Sequence, residues 1–251
     1  MRKQAMEIVQ QEKVGKDIYR LTLAGGLAAV PGQFVQVGVS ATADPLLKRP
    51  FSIHYCNGST LVLLYQVTGR GTNLLAAKKE GEILEVTGPL GRGFPLPEEE
   101  RAVVVAGGMG AAPLYYLLHA LKSAGRDVTF LYGARTAAAL VLQEQYRSLV
   151  RHYAVATDDG SFGRQGPVTE LLQEELSRRP GVVFACGPEP MLREAAAIAA
   201  GFNSRCFVSL EARMACGVGA CLGCVIPGAD GRYRRVCADG PVFAAEEVFP
   251  A

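Results

Sequence analysis

Short runs of alternating apolar and polar residues dominate the first third of the chain. Ile18–Leu23, Gln33–Val39, Leu61–Val67 and Glu82–Val86 each place apolar side chains on one face, at the two-residue period of a strand. Gly25-Gly26, Pro31-Gly32, Asn57-Gly58 and Gly88-Pro89 separate them as turns. Close spacing without a long helical pattern predicts an all-β unit, an antiparallel β-barrel over residues 1–98. The proline and acidic run Pro95-Leu-Pro-Glu-Glu-Glu100 supplies a linker.

Beyond the linker the pattern changes. Ala102–Ala106 is an unbroken apolar run, as expected of a strand covered on both faces. It leads through Gly107-Gly108-Met109-Gly110-Ala111-Ala112-Pro113 into an amphipathic helix, Leu114–Lys122. Strand and helix then alternate: Val128–Tyr132, helix Ala137–Val150, Tyr153–Thr157, helix Val168–Ser177, Val182–Ala185, helix Glu189–Ala200. This repetition predicts a doubly wound, mostly parallel α/β sheet over 99–206. Ligands belong at the carboxyl ends of such strands, where the Gly107 turn, the Asp158–Gly166 loop and Cys186-Gly187-Pro188 fall. A small C-terminal unit, 207–251, opens with a strand at Phe207–Leu210 and contains a hairpin, Val225–Val236, turning at Gly228–Gly231.

Composition narrows the function classes. A chain of 251 residues with 49% hydrophobic and 20% charged content can bury proper cores and is an ordinary globular protein. Lys plus Arg exceed Asp plus Glu by 26 − 24 = 2, so no strong field points to nucleic acid or to an anionic membrane. The first residues, Met1–Glu7, lack the apolar core of a signal peptide, and no apolar run of ~20 residues occurs. A cytoplasmic setting follows, in which thiols stay reduced and clustered cysteines serve metal rather than disulfides.

Four of the 7 cysteines are so clustered. Cys216, Cys221 and Cys224 follow C-x4-C-x2-C, and Cys237 closes the set. This is the plant-type pattern for a [2Fe–2S] cluster held by four thiolates. The small residues Gly217, Gly219, Ala220 and Gly223 let the backbone curl and aim N–H groups at sulfur. Tetrahedral zinc is the alternative, although structural zinc sites usually pair two C-x2–4-C knuckles.

Other candidates are weaker singly. In Arg49-Pro50-Phe51-Ser52, Arg49 offers a donor fork for a pyrophosphate and Ser52 a hydroxyl for a flat polar ring. In Val67-Thr68-Gly69-Arg70-Gly71-Thr72, the glycines admit close approach to a phosphate and Thr72 adds a hydroxyl before a helical run, Leu74–Lys79. Taken alone, the first is more often a surface turn and the second more often a loop. The strand, glycine turn and helix around Gly107–Pro113 suit a dinucleotide pyrophosphate without forming a strict G-x-G-x-x-G. Cys56 and Cys206 read as packing, and Cys186 as either core or a nicotinamide contact. His54, His119 and His152 show no ligand spacing and read as structural or surface residues. Asp158 and Asp159 fit a ribose contact or a solvated turn; Arg232, Arg234 and Arg235 fit a partner surface or a solvated hairpin face.

Jointly, Arg49-Pro50-Phe51-Ser52, Gly71-Thr72, the Gly107–Pro113 turn and Cys186-Gly187-Pro188 occur in the order seen in ferredoxin reductase-like flavoproteins. With Ser209–Cys224 and Val236–Phe243 added, nearly the whole chain resembles the electron transfer subunits of dihydroorotate dehydrogenase B (NAD⁺) complexes. The resemblance implies an FAD barrel, an NAD(H) domain and a [2Fe–2S] tail, working beside a separate FMN-containing catalytic subunit in a heterotetramer of two copies of each. It implies that Arg49, Pro50, Phe51 and Ser52 line the flavin, and that Gln66, Val67, Thr68, Gly71 and Thr72 hold the rest of FAD. Gly107, Gly108, Met109 and Gly110 would face the nicotinamide nucleotide, with Cys186, Gly187 and Pro188 near its reactive end. Cys216, Cys221, Cys224 and Cys237 would ligate the cluster. The implied activity is an oxidoreductase step of pyrimidine biosynthesis needing no acid–base triad on this chain. Electrons from dihydroorotate would pass through the cluster and FAD to NAD⁺. The reductase subunit of a related electron-bifurcating transhydrogenase or sulfhydrogenase is the alternative enzyme, and a zinc-bound interaction module the non-enzymatic reading.

Overall fold

Residues 2–40, 42, 44–96 and 98–250 are described by the computed structural model. One long strand, β1 (Arg2–Gly15), pairs with β2 (Ile18–Ala24) on one side and β6 (Ile83–Leu90) on the other. Between them lie β3 (Phe34–Gly38), β4 (Arg49–Cys56) and β5 (Thr60–Gln66), closing an antiparallel barrel in the order β1-β2-β5-β4-β3-β6. Alternation sends Ile8, Leu21, Leu23, Val35, Val37, Ile53, Leu61 and Leu63 into a dry interior, all fully buried. A short helix, α1 (Arg70–Ala76), follows β5. It begins earlier than the expected Leu74 start, so Gly71 and Thr72 belong to it.

The second body is a seven-stranded sheet built from β7 (Arg101–Gly107), β8 (Asp127–Ala134), β9 (His152–Thr157), β10 (Arg164–Gln165), β11 (Val182–Cys186), β12 (Cys206–Ser209) and β15 (Val242–Ala244). Its order is β10-β9-β8-β7-β11-β12-β15, parallel throughout except for the β15 edge. Helix α2 (Ala111–Ser123) covers one face through Leu114, Leu117, Leu118 and Leu121. On the other face α4 (Val168–Arg178) and α5 (Glu189–Gly201) pack Leu172, Leu176, Leu192 and Ala195 against Val103 and Val105. The C-terminal segment adds a two-stranded hairpin, β13 (Val225–Pro227) with β14 (Tyr233–Arg235), and a short helix α6 (Ala245–Val248).

Two expectations change. The helix expected over Ala137–Val150 is a 3₁₀ turn, Ala137–Ala139, then a five-residue helix, α3 (Gln143–Arg147), with Leu142 between them in the left-handed region at φ 54. Val141 explains the break: it packs with Ile18, Leu64 and Ala112 between barrel and sheet, which a continuous helix would not allow. The division expected at 206/207 cuts through β12, whose partner β15 comes from beyond the cysteines. The cysteine segment is therefore stitched into the sheet at both of its ends.

Barrel and sheet meet mainly through β4 and α2. His54 is buried there at 1% exposure, stacked on Tyr115 at 4.5 Å, and its Nδ1–H donates to the Ala112 carbonyl at 2.8 Å. Burial is the main cause that lowers its pKa from 6.5 to about 4. As pH falls below 6.5 the unfolded chain takes up this proton first, so the stability His54 contributes is complete above 6.5 and is lost between 6.5 and about 4. The loss amounts to about 3 kcal/mol. Unfolding midpoints measured from pH 7 to pH 4.5 should fall steeply in the parent and less in His54→Phe; parallel curves would refute this assignment.

Candidate functional site

Antiparallel pairing of β4 with β5 sets the first residues of one beside the last of the other, so Arg49–Ser52 and Gln66 meet at one end of the barrel. They wall a hollow of ≈ 470 Å³ that opens between barrel and sheet. Thr68, Gly71 and Thr72 form its rim, Met109 and Pro113 its floor on the sheet side, and Ser209–Ala212 with Met214 its third wall. A Cβ at Gly71 would stand 2.3 Å from Arg49 Nε, so a side chain there would have to displace the Arg49 fork. The Thr72 hydroxyl is engaged locally: it accepts the N–H groups of Thr68 at 2.9 Å and Gly69 at 3.2 Å and donates to the Gly69 carbonyl. Thr72 thus fixes the glycine turn. Val67 lies beneath the hollow, against the barrel core.

A second hollow, ≈ 610 Å³, lies at the carboxyl ends of the sheet strands. Gly107, Gly108, Met109 and Gly110 line it from the β7–α2 turn, and Gly187 and Pro188 from the β11–α5 turn. Lys16, Arg135, Thr136 and Asp158 also border it. Cys186 does not reach this space. Its side chain is buried at 2% exposure beside Ser209, and burial pushes its thiol pKa well above the ordinary range. Gln66, Met109 and Glu211 belong to both hollows, which are therefore neighbours. Glu211 stands in the concavity, open to it yet surrounded by protein, and this desolvation raises its carboxyl pKa. Sequence reasoning passed over Glu211, although it follows β12 at the carboxyl end of a sheet strand, the same signal that marked Cys186.

The four cysteines converge at the far side of the first hollow. Gln36, a barrel residue at 4% exposure, donates from Nε2 to the Ala215 carbonyl at 3.3 Å and anchors the loop. Gly217 and Gly219 take positive φ, 70° and 79°, so the loop curls and turns its amides inward. Cys216 Sγ accepts N–H groups from Val218 and Cys221 at 3.4 Å, Cys221 Sγ from Gly223 at 3.4 Å, Cys237 Sγ from Gly219 at 3.1 Å, and Cys224 Sγ from Cys237 at 3.4 Å. The Val218 N–H chiefly lowers the Cys216 pKa to about 6, whereas burial chiefly pushes Cys237 up to about 12. Two of these bonds join the cysteines in pairs, the Cys221 N–H to Cys216 Sγ and the Cys237 N–H to Cys224 Sγ. Among the described residues no three Cys, His, Asp or Glu side chains gather as a site for one ion. Two cysteine pairs fed by backbone donors fit two irons held by four thiolates.

Comparison with known proteins agrees with this geometry. Residues 211–249 match the family described as the iron–sulfur cluster binding domain of dihydroorotate dehydrogenase B, and residues 104–197 match the oxidoreductase NAD-binding domain. The dihydroorotate dehydrogenase B (NAD(+)) electron transfer subunit of Geobacillus kaustophilus (strain HTA426) is 44% identical, with 98% of each chain covered. That of Bacillus caldolyticus is also 44% identical over 98% of each. Among solved structures, an NADH-dependent reduced ferredoxin-NADP oxidoreductase superposes with a TM-score of 0.87 at 30% identity, covering 97% of this chain and 89% of its own. The cytochrome b5 reductase domain of Ulva prolifera nitrate reductase, at TM-score 0.67 and 20% identity over 80% of this chain and 93% of its own, shares the fold. The chain belongs to the family of dihydroorotate dehydrogenase B (NAD(+)) electron transfer subunits.

Proposed function

We propose that this chain is the electron transfer subunit of an NAD⁺-dependent dihydroorotate dehydrogenase, an oxidoreductase of pyrimidine biosynthesis, and that it works with an FMN-containing catalytic subunit in a heterotetramer. The observation that carries the reading is continuity: Ser209–Met214 walls the first hollow and the same segment delivers Cys216 two residues later. The first hollow in turn shares Gln66, Met109 and Glu211 with the second. On this reading the three cofactor sites adjoin one another in turn.

The first hollow fits FAD. Arg49 supplies a fork for the pyrophosphate, Pro50, Phe51 and Ser52 border the ring, Gln66, Thr68 and Gly71 border the remainder, and Val67 and Thr72 support that wall from behind. The second hollow fits NAD(H), with Gly107, Gly108, Met109 and Gly110 giving close backbone approach and Gly187 and Pro188 facing them. Cys186 lies behind this turn, buried in the sheet core. Cys216, Cys221, Cys224 and Cys237 hold the cluster, and the five N–H donors stabilise their thiolates. The bound groups supply the redox chemistry, carrying electrons from dihydroorotate oxidation on the partner through [2Fe–2S] and FAD to NAD⁺. The protein places the groups and shields them. Residues 1–98, 99–206 and 207–251 are then the FAD, NAD and cluster units, the last two sharing one sheet. Exposed Val218, Leu222, Val225 and Tyr233 flank the cysteines and suit a partner's surface. Among the described residues no helix is long and apolar enough to cross a membrane; the biosynthetic role favours the cytoplasm.

Coexpression with the FMN subunit tests the reading. The purified pair should reduce NAD⁺ in a dihydroorotate-dependent way. A complex loaded with all its cofactors that lacks this turnover would defeat the assignment in favour of a bifurcating reductase, to whose solved relative the chain is only 30% identical.

A further inference from the structure

Of the three arginines on the hairpin, Arg232 is exposed, and Arg234, with 25% of its side chain exposed, pairs with Asp230 at 2.8 Å. Arg235, with 42% of its side chain exposed, engages a different carboxylate. Its Nε donates to Asp239 Oδ2 at 3.0 Å and its Nη2 to Oδ1 at 2.9 Å, a two-point fork strengthened by the Arg235 backbone N–H on Oδ2 at 2.8 Å. The remaining arm, Nη1, donates to the Gly219 carbonyl at 3.4 Å. Gly219 in turn gives its N–H to Cys237 Sγ at 3.1 Å. The Arg235 carbonyl accepts N–H groups from Ala238 at 3.1 Å and Asp239 at 2.8 Å, forming the tight turn that carries Cys237. Arg235 therefore grips Cys237 from both sides, through its own turn and through the opposite loop.

We propose that Arg235 and Asp239 act as a pair that positions Cys237 and sets the reduction potential of the four-cysteine centre. The proposal rests on reading the four cysteines as cluster ligands. Intact, the pair is neutral and contributes orientation; broken, it leaves one unpaired charge a single residue's contact away from a ligand sulfur. Adding an electron to the centre is favoured by nearby positive charge and opposed by negative charge. Asp239→Asn should therefore raise the midpoint and Arg235→Gln lower it, each by about threefold to tenfold in the reduction equilibrium, with solvent screening holding the effect to this range. In the double variant R235Q/D239N the two shifts largely cancel.

The experiment is a redox titration of the cofactor-loaded complex, followed by electron paramagnetic resonance, for the parent, both single variants, the double variant and Arg235→Lys. Opposite shifts in the singles and recovery in the double variant and in Arg235→Lys are expected. Midpoints unchanged in both single variants, or shifted in the same direction, overturn the proposal. Loss of the signal from all the variants alike, with FAD retained, shows that the pair only maintains the fold and also overturns it. A parent without any iron–sulfur signal would instead overturn the reading of the cysteines on which the proposal stands.

Discussion

In a complex carrying Cys221→Ser, dihydroorotate-dependent NAD⁺ reduction falls to background and the iron–sulfur absorption and resonance signals disappear, while FAD stays bound and is still reduced by NADH. The reasons lie in where each part is anchored. Cys221 is exposed, so a serine there buries no new polar group and opens no cavity. Its backbone N–H bonds Cys216 Sγ at 3.4 Å, and on the proposed ligation a hydroxyl in place of its thiol would leave one iron short of a thiolate. The first hollow, the proposed flavin site, draws Arg49–Ser52, Gln66, Thr68 and Gly71 from the barrel, whose closure does not depend on the cysteine loop. Flavin content, visible absorption and the two assays run on one preparation check the prediction. FAD lost in proportion to the cluster would show that the loop holds the flavin wall in place.

Gly110→Ala should destabilise the chain by about 3 kcal/mol or more, lowering the unfolding midpoint by roughly 10 °C. A Cβ at this position would stand 2.2 Å from the Cys186 carbonyl oxygen, 2.4 Å from its carbon and 2.7 Å from the Gly187 nitrogen. None of these is a side chain that can swing aside. The β7 and β11 backbones run paired from Val182↔Ala102 to Cys186↔Ala106, so relief on one side breaks the ladder on the other. Gly108 is the control. It has φ 53 and nothing within 4 Å of an added Cβ, so alanine there costs only the left-handed conformation, about 1 kcal/mol. Its methyl group would intrude on the second hollow and raise the KM for NADH. Similar melting curves for the two variants would refute the packing argument.

Local patterns carried much of this architecture. Strand alternation in Ile18–Leu23 and Leu61–Val67 was readable because a closed barrel wets one face and dries the other. The long β1 was not read, since only Met6 and Ile8 of its 14 residues are buried apolar positions. Ala137–Val150 misled for the opposite reason: its residues suit a helix, but Val141 is claimed by the barrel and the sheet together. Of the candidate site residues, Arg49–Ser52 and Gly71 line the first hollow and Gly107–Gly110 the second. Cys186 was ambiguous in sequence because its Gly-Pro neighbours mark a ligand turn, while its own side chain alternates into the core.

The sequence by itself determined what depends on neighbours in the chain: the strand and helix periods, the glycine turns, and the C-x4-C-x2-C spacing with its curling glycines. Only the tertiary structure decided what depends on distant residues meeting. It set the two cysteine pairs, in which Cys237 returns across the hairpin to Cys224, and it bound the loop to barrel residue Gln36. It stitched β15 beside β12 and so fixed the cysteine segment to the nucleotide sheet. It also joined Arg235 to the turn that carries Cys237 while Arg234 pairs with Asp230, a choice made by the Asp239 carboxylate and the Gly219 carbonyl, groups that come within reach only after the loop and hairpin have packed.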